Sequence, residues 1–94
     1  MSQEYRATLS GRITDPQGAV IAGVKVIATQ VETGSKSETI SGADGLYTVP
    51  FLPPAAYRVT AEASGFKKYD RTGVQLGSNE RVSLDIEIDR RAHV

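Results

Sequence analysis

Three carboxylates near the end of the sequence have a spacing that could place them together on one surface. Asp85, Glu87 and Asp89 alternate with apolar residues, so a strand over this run would point all three to the same face. Neighbouring carboxylates could bind calcium or act as an acid–base pair. No apolar residue is placed to remove them from water, and we therefore expect a solvated outer face.

Other side chains capable of catalysis are few and isolated. The sole histidine, His93, lies one residue from the end of the sequence, where we expect nothing to orient its imidazole for a catalytic triad. The sequence has no cysteine, which excludes thiolate chemistry and disulfides, and makes a zinc site unexpected. We therefore expect no catalytic residue, no metal and no cofactor, and hence no enzyme.

Two further aspartates occur in turn sequences. Asp15 begins Asp-Pro-Gln-Gly, and Asp44 directly precedes Gly45. Aspartate side chains accept hydrogen bonds from nearby backbone amides, and these bonds stabilise turns. A structural role is expected for both, with a weak calcium site at one end of the domain as the open alternative.

The elements that carry these residues are strands, because the dominant period of the sequence is two. Apolar and polar residues alternate over residues 5–14, 24–29, 46–51 and 56–63. The clearest alternation covers residues 81–88, and it is typical of an antiparallel strand with one face on the core.

Weaker signals complete the pattern. Residues 36–41 and 67–72 are predicted as polar strands, and residues 73–79 as a loop. Turn residues recur about every 8–12 residues, and no window has helical periodicity. This predicts an all-β fold, a Greek-key antiparallel β-sandwich of about seven strands. The 94 residues fit one domain over 1–94, with a core over about residues 5–89.

The middle of the sequence concentrates turns and aromatic rings. Asp-Gly at 44–45 is a strong hairpin signal, and the prolines at 53–54 would end one strand and begin the next. Tyr47, Phe51 and Tyr57 each share a strand face with aliphatic residues. We expect all three rings in the core, with the tyrosine hydroxyls at its rim, and this segment as a corner of the sandwich.

The overall charge argues against two classes of partner. Acidic and basic residues balance to a net charge of zero, so neither nucleic acid binding nor direct membrane insertion is expected. The first residues lack the apolar run of a signal peptide. The protein is therefore either cytosolic or a segment cut from a longer exported chain.

With these turns and strands, the sequence resembles the carboxypeptidase regulatory-like domain, close to the B-type repeats of collagen adhesins and to transthyretin (prealbumin)-like sandwiches. The resemblance covers about residues 7–88. It departs from the family at Ala55, where the family has glycine, and this affects the expected turn geometry. We expect the matching residues to be structural, and they are Gly11, Ile13, Asp15, Gly18, Gly23, Val26, Asp44, Gly45, Tyr47, Leu52, Pro54, Tyr57, Gly65 and Phe66.

Residues 15–34 most resemble the copies of this domain at the N-terminus of TonB-dependent outer-membrane receptors. That resemblance implies a non-catalytic accessory module of the bacterial cell envelope, at the periplasmic face of the outer membrane or outside the cell. It implies other domains of the same polypeptide, or another envelope protein, as partners. Two alternatives stay open: a carbohydrate-binding module, and the accessory folding domain of a metallocarboxypeptidase.

The resemblance raises two further questions about chemistry. Some adhesin domains form an isopeptide bond between lysine and asparagine or aspartate, but Lys25 and Asp85 are predicted to face outward and Asn79 lies in a loop. No isopeptide is therefore expected. Sugar-binding relatives use exposed aromatic rings, for which Phe66 and Tyr69 are the candidates, and we prefer Phe66 as a core anchor of its turn.

Overall fold

The computed structural model describes residues 6–90, which form eight β-strands and no helix. The strands are β1 (Ala7–Thr14), β2 (Lys25–Gln30), β3 (Lys36–Ile40), β4 (Leu46–Leu52), β5 (Ala55–Glu62), β6 (Tyr69–Leu76), β7 (Arg81–Ser83) and β8 (Ile86–Glu87). They form two sheets around one core. The predicted all-β sandwich is confirmed, with eight strands because the last predicted strand is divided in two. Tyr5 and His93 lie outside the described residues.

The described residues include no helix that is long and apolar enough to cross a lipid bilayer.

The first sheet has the strand order β4-β1-β7, and β8 also pairs with β1. β1 is antiparallel to β4 but parallel to β7 and β8, with Thr8 opposite Arg81. The antiparallel pairing predicted for residues 81–88 is therefore wrong. Its predicted buried face is correct, because Ile86 and Ile88 are both 1% exposed. Alternation identifies the buried face of a strand, but not the neighbour with which the strand pairs.

The second sheet has the order β3-β2-β5-β6 and is antiparallel throughout. β6 continues to Leu76, so the loop predicted from residue 73 is wrong over its first part. The register of β5 and β6 shifts beside Gly73, which has a φ of 74°. Beyond this bulge Val74 and Leu76 are buried. The bulge interrupts the polar–apolar alternation, and this made the strand look like a loop.

The core lies between the two sheets, and the inward positions of their strands supply it. Tyr47 and Tyr57 are its largest fully buried side chains, as predicted. Burial of a large aromatic ring contributes strongly to the stability of so small a domain. The buried apolar residues are Ala7, Leu9, Ile13, Val24, Val26, Ala28, Tyr47, Val49, Leu52, Tyr57, Val59, Ala61, Val74, Leu76, Ile86 and Ile88.

The chain changes sheet on both sides of β4. β3 and β5 belong to the second sheet and β4 to the first. The predicted corner at Pro53-Pro54 is therefore present. The turn at Asp44-Gly45 also connects the two sheets, and β3 and β4 are not paired, so the hairpin predicted there is wrong.

Phe51 departs from its predicted place in the core. The register of β1 and β4 shifts, with Leu9 opposite Val49 and Ala7 opposite Leu52. β4 therefore contains one additional residue, and such a bulge changes which side chains point inward. Leu52 is buried, while Phe51 is 60% exposed and has a φ of 62°.

The position of Ala55 explains why the chain can depart from the family pattern at this residue. It is the first residue of β5 and pairs with Leu76. Among the described non-glycine residues, positive φ values occur at Phe51 and Asn79 only. An alanine at position 55 is therefore not strained, and the turn needs no glycine there.

Candidate functional site

Asp15 is almost fully buried, at 2% exposure, in the turn after β1. Its Oδ1 accepts hydrogen bonds from the backbone N–H groups of Gln17 and Ala19, both at 2.9 Å. Its Oδ2 accepts a hydrogen bond from the guanidinium of Arg90 at 3.2 Å. The Ala19 amide is the main cause that lowers the pKa of Asp15; burial opposes it, and Gln17 and Arg90 support it. The predicted turn geometry is present, with Arg90 as an additional partner.

Arg90 also connects this turn to the one at Gly65-Phe66. Its guanidinium lies 5.0 Å from the centroid of the Phe66 ring, which is a cation–π distance. The Lys67 N–H donates to the Asp89 carbonyl at 2.8 Å, and Phe66 packs against the core. We call Asp15, Phe66 and Arg90 together the Arg90 clasp. It anchors Phe66 in the way the sequence predicts, but the ring is only half-buried.

Tyr47 places its hydroxyl on the backbone of the segment between β7 and β8. The hydroxyl donates a hydrogen bond to the carbonyl of Leu84, and burial is the main cause that raises the pKa of Tyr47. Gly11 leaves room for this contact. A Cβ at Gly11 would lie 2.0 Å from the Leu84 oxygen and 3.1 Å from Cε1 of Tyr47. The glycine is therefore required by a close backbone approach.

Tyr57 stabilises the corner that precedes it. Its ring is 1% exposed, and its hydroxyl donates to the carbonyl of Pro53 at 2.6 Å. Burial raises the pKa of Tyr57, so the phenol stays protonated and remains a donor. The arrangement is similar to the tyrosine corner of other β-sandwiches, in which a tyrosine hydroxyl bonds to backbone a few residues upstream. Leu52 is buried beside this corner and Pro54 is exposed within it.

The turn at Asp44-Gly45 combines a side-chain hydrogen bond with a special backbone conformation. Oδ1 of Asp44 accepts a hydrogen bond from the Leu46 N–H at 3.1 Å, as predicted for an aspartate in a turn. Gly45 has a φ of 77°, and a Cβ there would be 2.9 Å from the Ile13 oxygen. A side chain at position 45 is therefore disfavoured both by the backbone conformation and by the lack of space. The other motif glycines with positive φ are Gly18, Gly23 and Gly65.

Ser41 is a structural residue that the sequence did not reveal. It is 4% exposed, its Oγ accepts a hydrogen bond from the Val24 N–H, and it donates one to the Ile21 carbonyl, both at 2.9 Å. It therefore joins the end of β3 to the segment before β2. A serine between a polar strand and a turn is too common a pattern to have indicated this role.

The carboxylates at the end of the chain are exposed, as expected. Asp85 lies between β7 and β8, and its Oδ1 accepts a hydrogen bond from the Arg12 N–H at 3.0 Å. Glu87 and Asp89 are exposed as well. Within residues 6–90, no group of three or more histidine, cysteine or acidic side chains is placed to hold a metal ion. That the domain binds no metal and catalyses no reaction stays a prediction.

The outer face of the second sheet is charged and solvated. Its side chains form exposed ion pairs, which contribute little to stability. The pairs are Lys25–Glu38 at 3.8 Å, Lys68–Glu62 at 3.5 Å and Arg58–Asp70. The hydrogen bond from Arg58 is the main cause that lowers the pKa of Asp70. Lys25 and Asp85 are both exposed, as predicted, and the absence of an isopeptide stays a prediction.

A groove of about 560 Å³ lies at the end of this outer face. Phe66 supplies its aromatic surface, and Lys25 and Lys68 line it. Tyr69, which we expected to be exposed, is half-buried and packs against the core. Phe51 is instead the aromatic ring with the largest exposure among the described residues, and the Arg6 guanidinium lies 4.8 Å from its centroid.

Comparison with known proteins identifies the relatives of this chain. A family model described as the carboxypeptidase regulatory-like domain matches residues 8–89. The TonB-dependent transporter Oar of Myxococcus xanthus is 31% identical over 83 residues. That match covers 87% of this chain but 8% of the transporter.

Solved structures with the same fold include two bacterial dioxygenases. Hydroxyquinol 1,2-dioxygenase from Pseudomonas putida has a TM-score of 0.75 at 10% identity, over 97% of this chain and 58% of the enzyme chain. 3-Chlorocatechol 1,2-dioxygenase from Rhodococcus opacus has a TM-score of 0.73 at 9% identity, over 95% of this chain and 62% of the enzyme chain. At such identities the likeness shows the β-sandwich fold alone. The family match and the placed motif residues together show that this chain belongs to the carboxypeptidase regulatory-like domain family.

Proposed function

We propose that this chain is a non-catalytic structural or protein-interaction module of a bacterial cell-envelope protein, and that the parent protein is a TonB-dependent receptor. The observation that supports the parent is the 31% identity to a TonB-dependent transporter over 87% of the chain. The proposal places the module at the periplasmic face of the outer membrane. Its partners are other domains of the same polypeptide or another envelope protein.

The contacts of the motif residues support a structural role. Asp15 binds two backbone amides and Arg90, and the hydroxyls of Tyr47 and Tyr57 bind backbone carbonyls. These polar groups, which could otherwise act on a substrate, are used to hold turns and strands together. Their raised pKa values also make both phenols poor acids or bases at neutral pH.

The parent gene provides the first test. A plug and barrel encoded after this module would support the proposal, whereas a glycoside hydrolase or a peptidase would contradict it in favour of one of the alternatives. In the parent receptor, deletion of residues 6–90 should leave the receptor in the outer membrane but lower its transport. A Tyr57→Ala receptor should lose part or all of the same transport because its module is strongly destabilised, and Glu87→Ala should behave as wild type. Normal transport after deletion would contradict a role in the receptor.

Carbohydrate binding is a second candidate, and the exposure of Phe51 favours it. The ring is 60% exposed, stacks with Arg6 and precedes the proline corner, and sugar rings bind to exposed aromatic faces. Affinity electrophoresis through gels that contain soluble starch, cellulose derivatives or peptidoglycan fragments would test it. The structural proposal predicts no retardation of the wild type. Retardation that Phe51→Ala abolishes and Val31→Ala preserves would support the second candidate instead.

A further inference from the structure

β1 and the pair β7 and β8 are the first and last described strands, and they are hydrogen-bonded neighbours. They run parallel, with Thr8 opposite Arg81 and Thr14 opposite Glu87. In a parallel pair, the beginning of one strand and the end of the other lie at opposite ends of the ladder. The two ends of the domain therefore leave this ladder in opposite directions.

This arrangement determines how the ladder would bear tension. Force that separates the two chain ends would act along β1 and β8, so that one strand must slide past the other. Sliding loads all hydrogen bonds between the strands together. In an antiparallel hairpin such as β2–β3, the two ends lie side by side, and the same force would open the bonds one at a time.

The ladder stays connected across the gap between β7 and β8. The Leu84 N–H donates to the Ser10 carbonyl at 2.7 Å, and the Asp85 carboxylate accepts the Arg12 N–H at 3.0 Å. The hydroxyl of Tyr47 reaches the Leu84 carbonyl from β4. The side chain of Asp85 thus replaces a backbone acceptor where regular pairing is interrupted.

Buried side chains and the Arg90 clasp extend the connection. Leu9 and Ile13 on β1 have no exposed surface, and Ile86 and Ile88 are 1% exposed. Sliding would have to withdraw these side chains from the core. Beyond β8, the Ile88 N–H donates to Thr14, and Arg90 binds Asp15.

We propose that β1, β7 and β8 form a mechanical clamp that resists tension between the polypeptide before the domain and the polypeptide after it. The proposal goes beyond the accessory role above, because it concerns the direction of force and does not depend on the identity of the parent protein. Asp85 and the Arg90 clasp are the side chains that reinforce it.

Force spectroscopy along two axes of the same domain tests the clamp. The first axis uses handles before Met1 and after Val94. The second uses a thiol handle at Gln17→Cys, an exposed position beyond the end of β1, and the handle after Val94; the sequence has no other cysteine. The first axis shears β8 along β1, and the second peels it away. We expect unfolding forces about twofold or more higher on the first axis, because several hydrogen bonds share the load. Equal forces on both axes, with Gln17→Cys as stable as wild type at equilibrium, would overturn the proposal.

Variants of Asp85 distinguish resistance to force along the first axis from a general contribution to the stability of the domain. Asp85→Ala should lower the force on the first axis more than on the second. Asp85→Asn keeps an acceptor oxygen and should restore most of that force. Glu87→Ala removes an exposed carboxylate two residues away, without a described hydrogen bond, and should change neither axis. Equal losses on both axes for Asp85→Ala would mean that Asp85 stabilises the domain but does not reinforce the clamp.

Discussion

Gly11 offers the sharpest test of how closely β1 approaches the segment between β7 and β8. In Gly11→Ala, the new methyl group would lie 2.0 Å from the Leu84 oxygen and 3.1 Å from Tyr47. The first distance is far inside van der Waals contact and involves backbone, so β1 or the segment between β7 and β8 must move. Such overpacking costs about 1–3 kcal/mol. Weakening of the hydrogen bond between Tyr47 and Leu84 would add about 1 kcal/mol, and the lower backbone entropy of alanine in the unfolded chain would return about 0.4–1 kcal/mol.

The net expectation is a loss of about 1–4 kcal/mol in the free energy of unfolding, from the overpacking, hydrogen-bond and entropy contributions together. Urea denaturation followed by far-UV circular dichroism would measure it, with tyrosine fluorescence as the second probe because the sequence has no tryptophan. Gly77→Ala is the matched control: a Cβ there would meet nothing nearer than the Glu80 side chain at 3.5 Å, so stability should stay the same or rise slightly. If Gly11→Ala were as stable as Gly77→Ala, the close approach to Leu84 would not constrain position 11, and glycine would not be required there.

Three further predictions concern the core, the buried carboxylate and the bulge. Tyr57→Ala should lower the free energy of unfolding by about 3–5 kcal/mol. Tyr69→Ala should lower it by less than this, but by more than the ~1 kcal/mol of an exposed site, because the Tyr69 ring is half-buried. Equal losses for the two variants in urea denaturation would contradict the placement of both rings. Because the folded-state pKa of Asp15 is lowered, its stabilising effect is complete above about pH 4 and is lost as the pH falls through that lowered pKa. In thermal melts from pH 6 to pH 2, the Tm of Asp15→Asn should therefore fall less with decreasing pH than the Tm of the wild type. An equal fall of Tm in both proteins would refute this. Phe51→Asn should leave stability unchanged or raise it by about 1 kcal/mol, because asparagine tolerates the positive φ that strains phenylalanine; a clear loss by the same denaturation assay would mean that the exposed ring stabilises the fold.

Most of the fold could be predicted from local pattern alone. Alternation identified the buried faces of the strands that carry Leu9, Val59 and Ile86, because each has one face on the core and one in water. Turn chemistry identified the backbone positions at Asp15 and Gly45. These features depend on residues close in sequence, and a single sequence therefore reveals them.

The errors arose where distant strands decide the local structure. Phe51 is exposed instead of buried because β4 must bulge against β1, and the sequence of β4 alone does not show this. The loop assignment after Gly73 failed for the same reason, since the bulge there is defined by pairing with β5. Arg90 was overlooked because its partner, Asp15, is 75 residues away in sequence. Within the candidate site, the turns could be predicted but the long-range contacts could not.

The pairing of β1 with β7 and β8 has a consequence for the order in which the chain folds. Arg12 and Asp85, which join the two across the ladder, are 73 residues apart in sequence, whereas the pairs β2–β3 and β5–β6 connect strands that follow one another. Long loops close slowly, so the second sheet should assemble first and the first sheet last. During synthesis, the edge of β1 that pairs with β7 and β8 must therefore wait for nearly all of the domain to be translated. Until then β1 can pair only with β4, and its other edge stays open to chaperones and to aggregation.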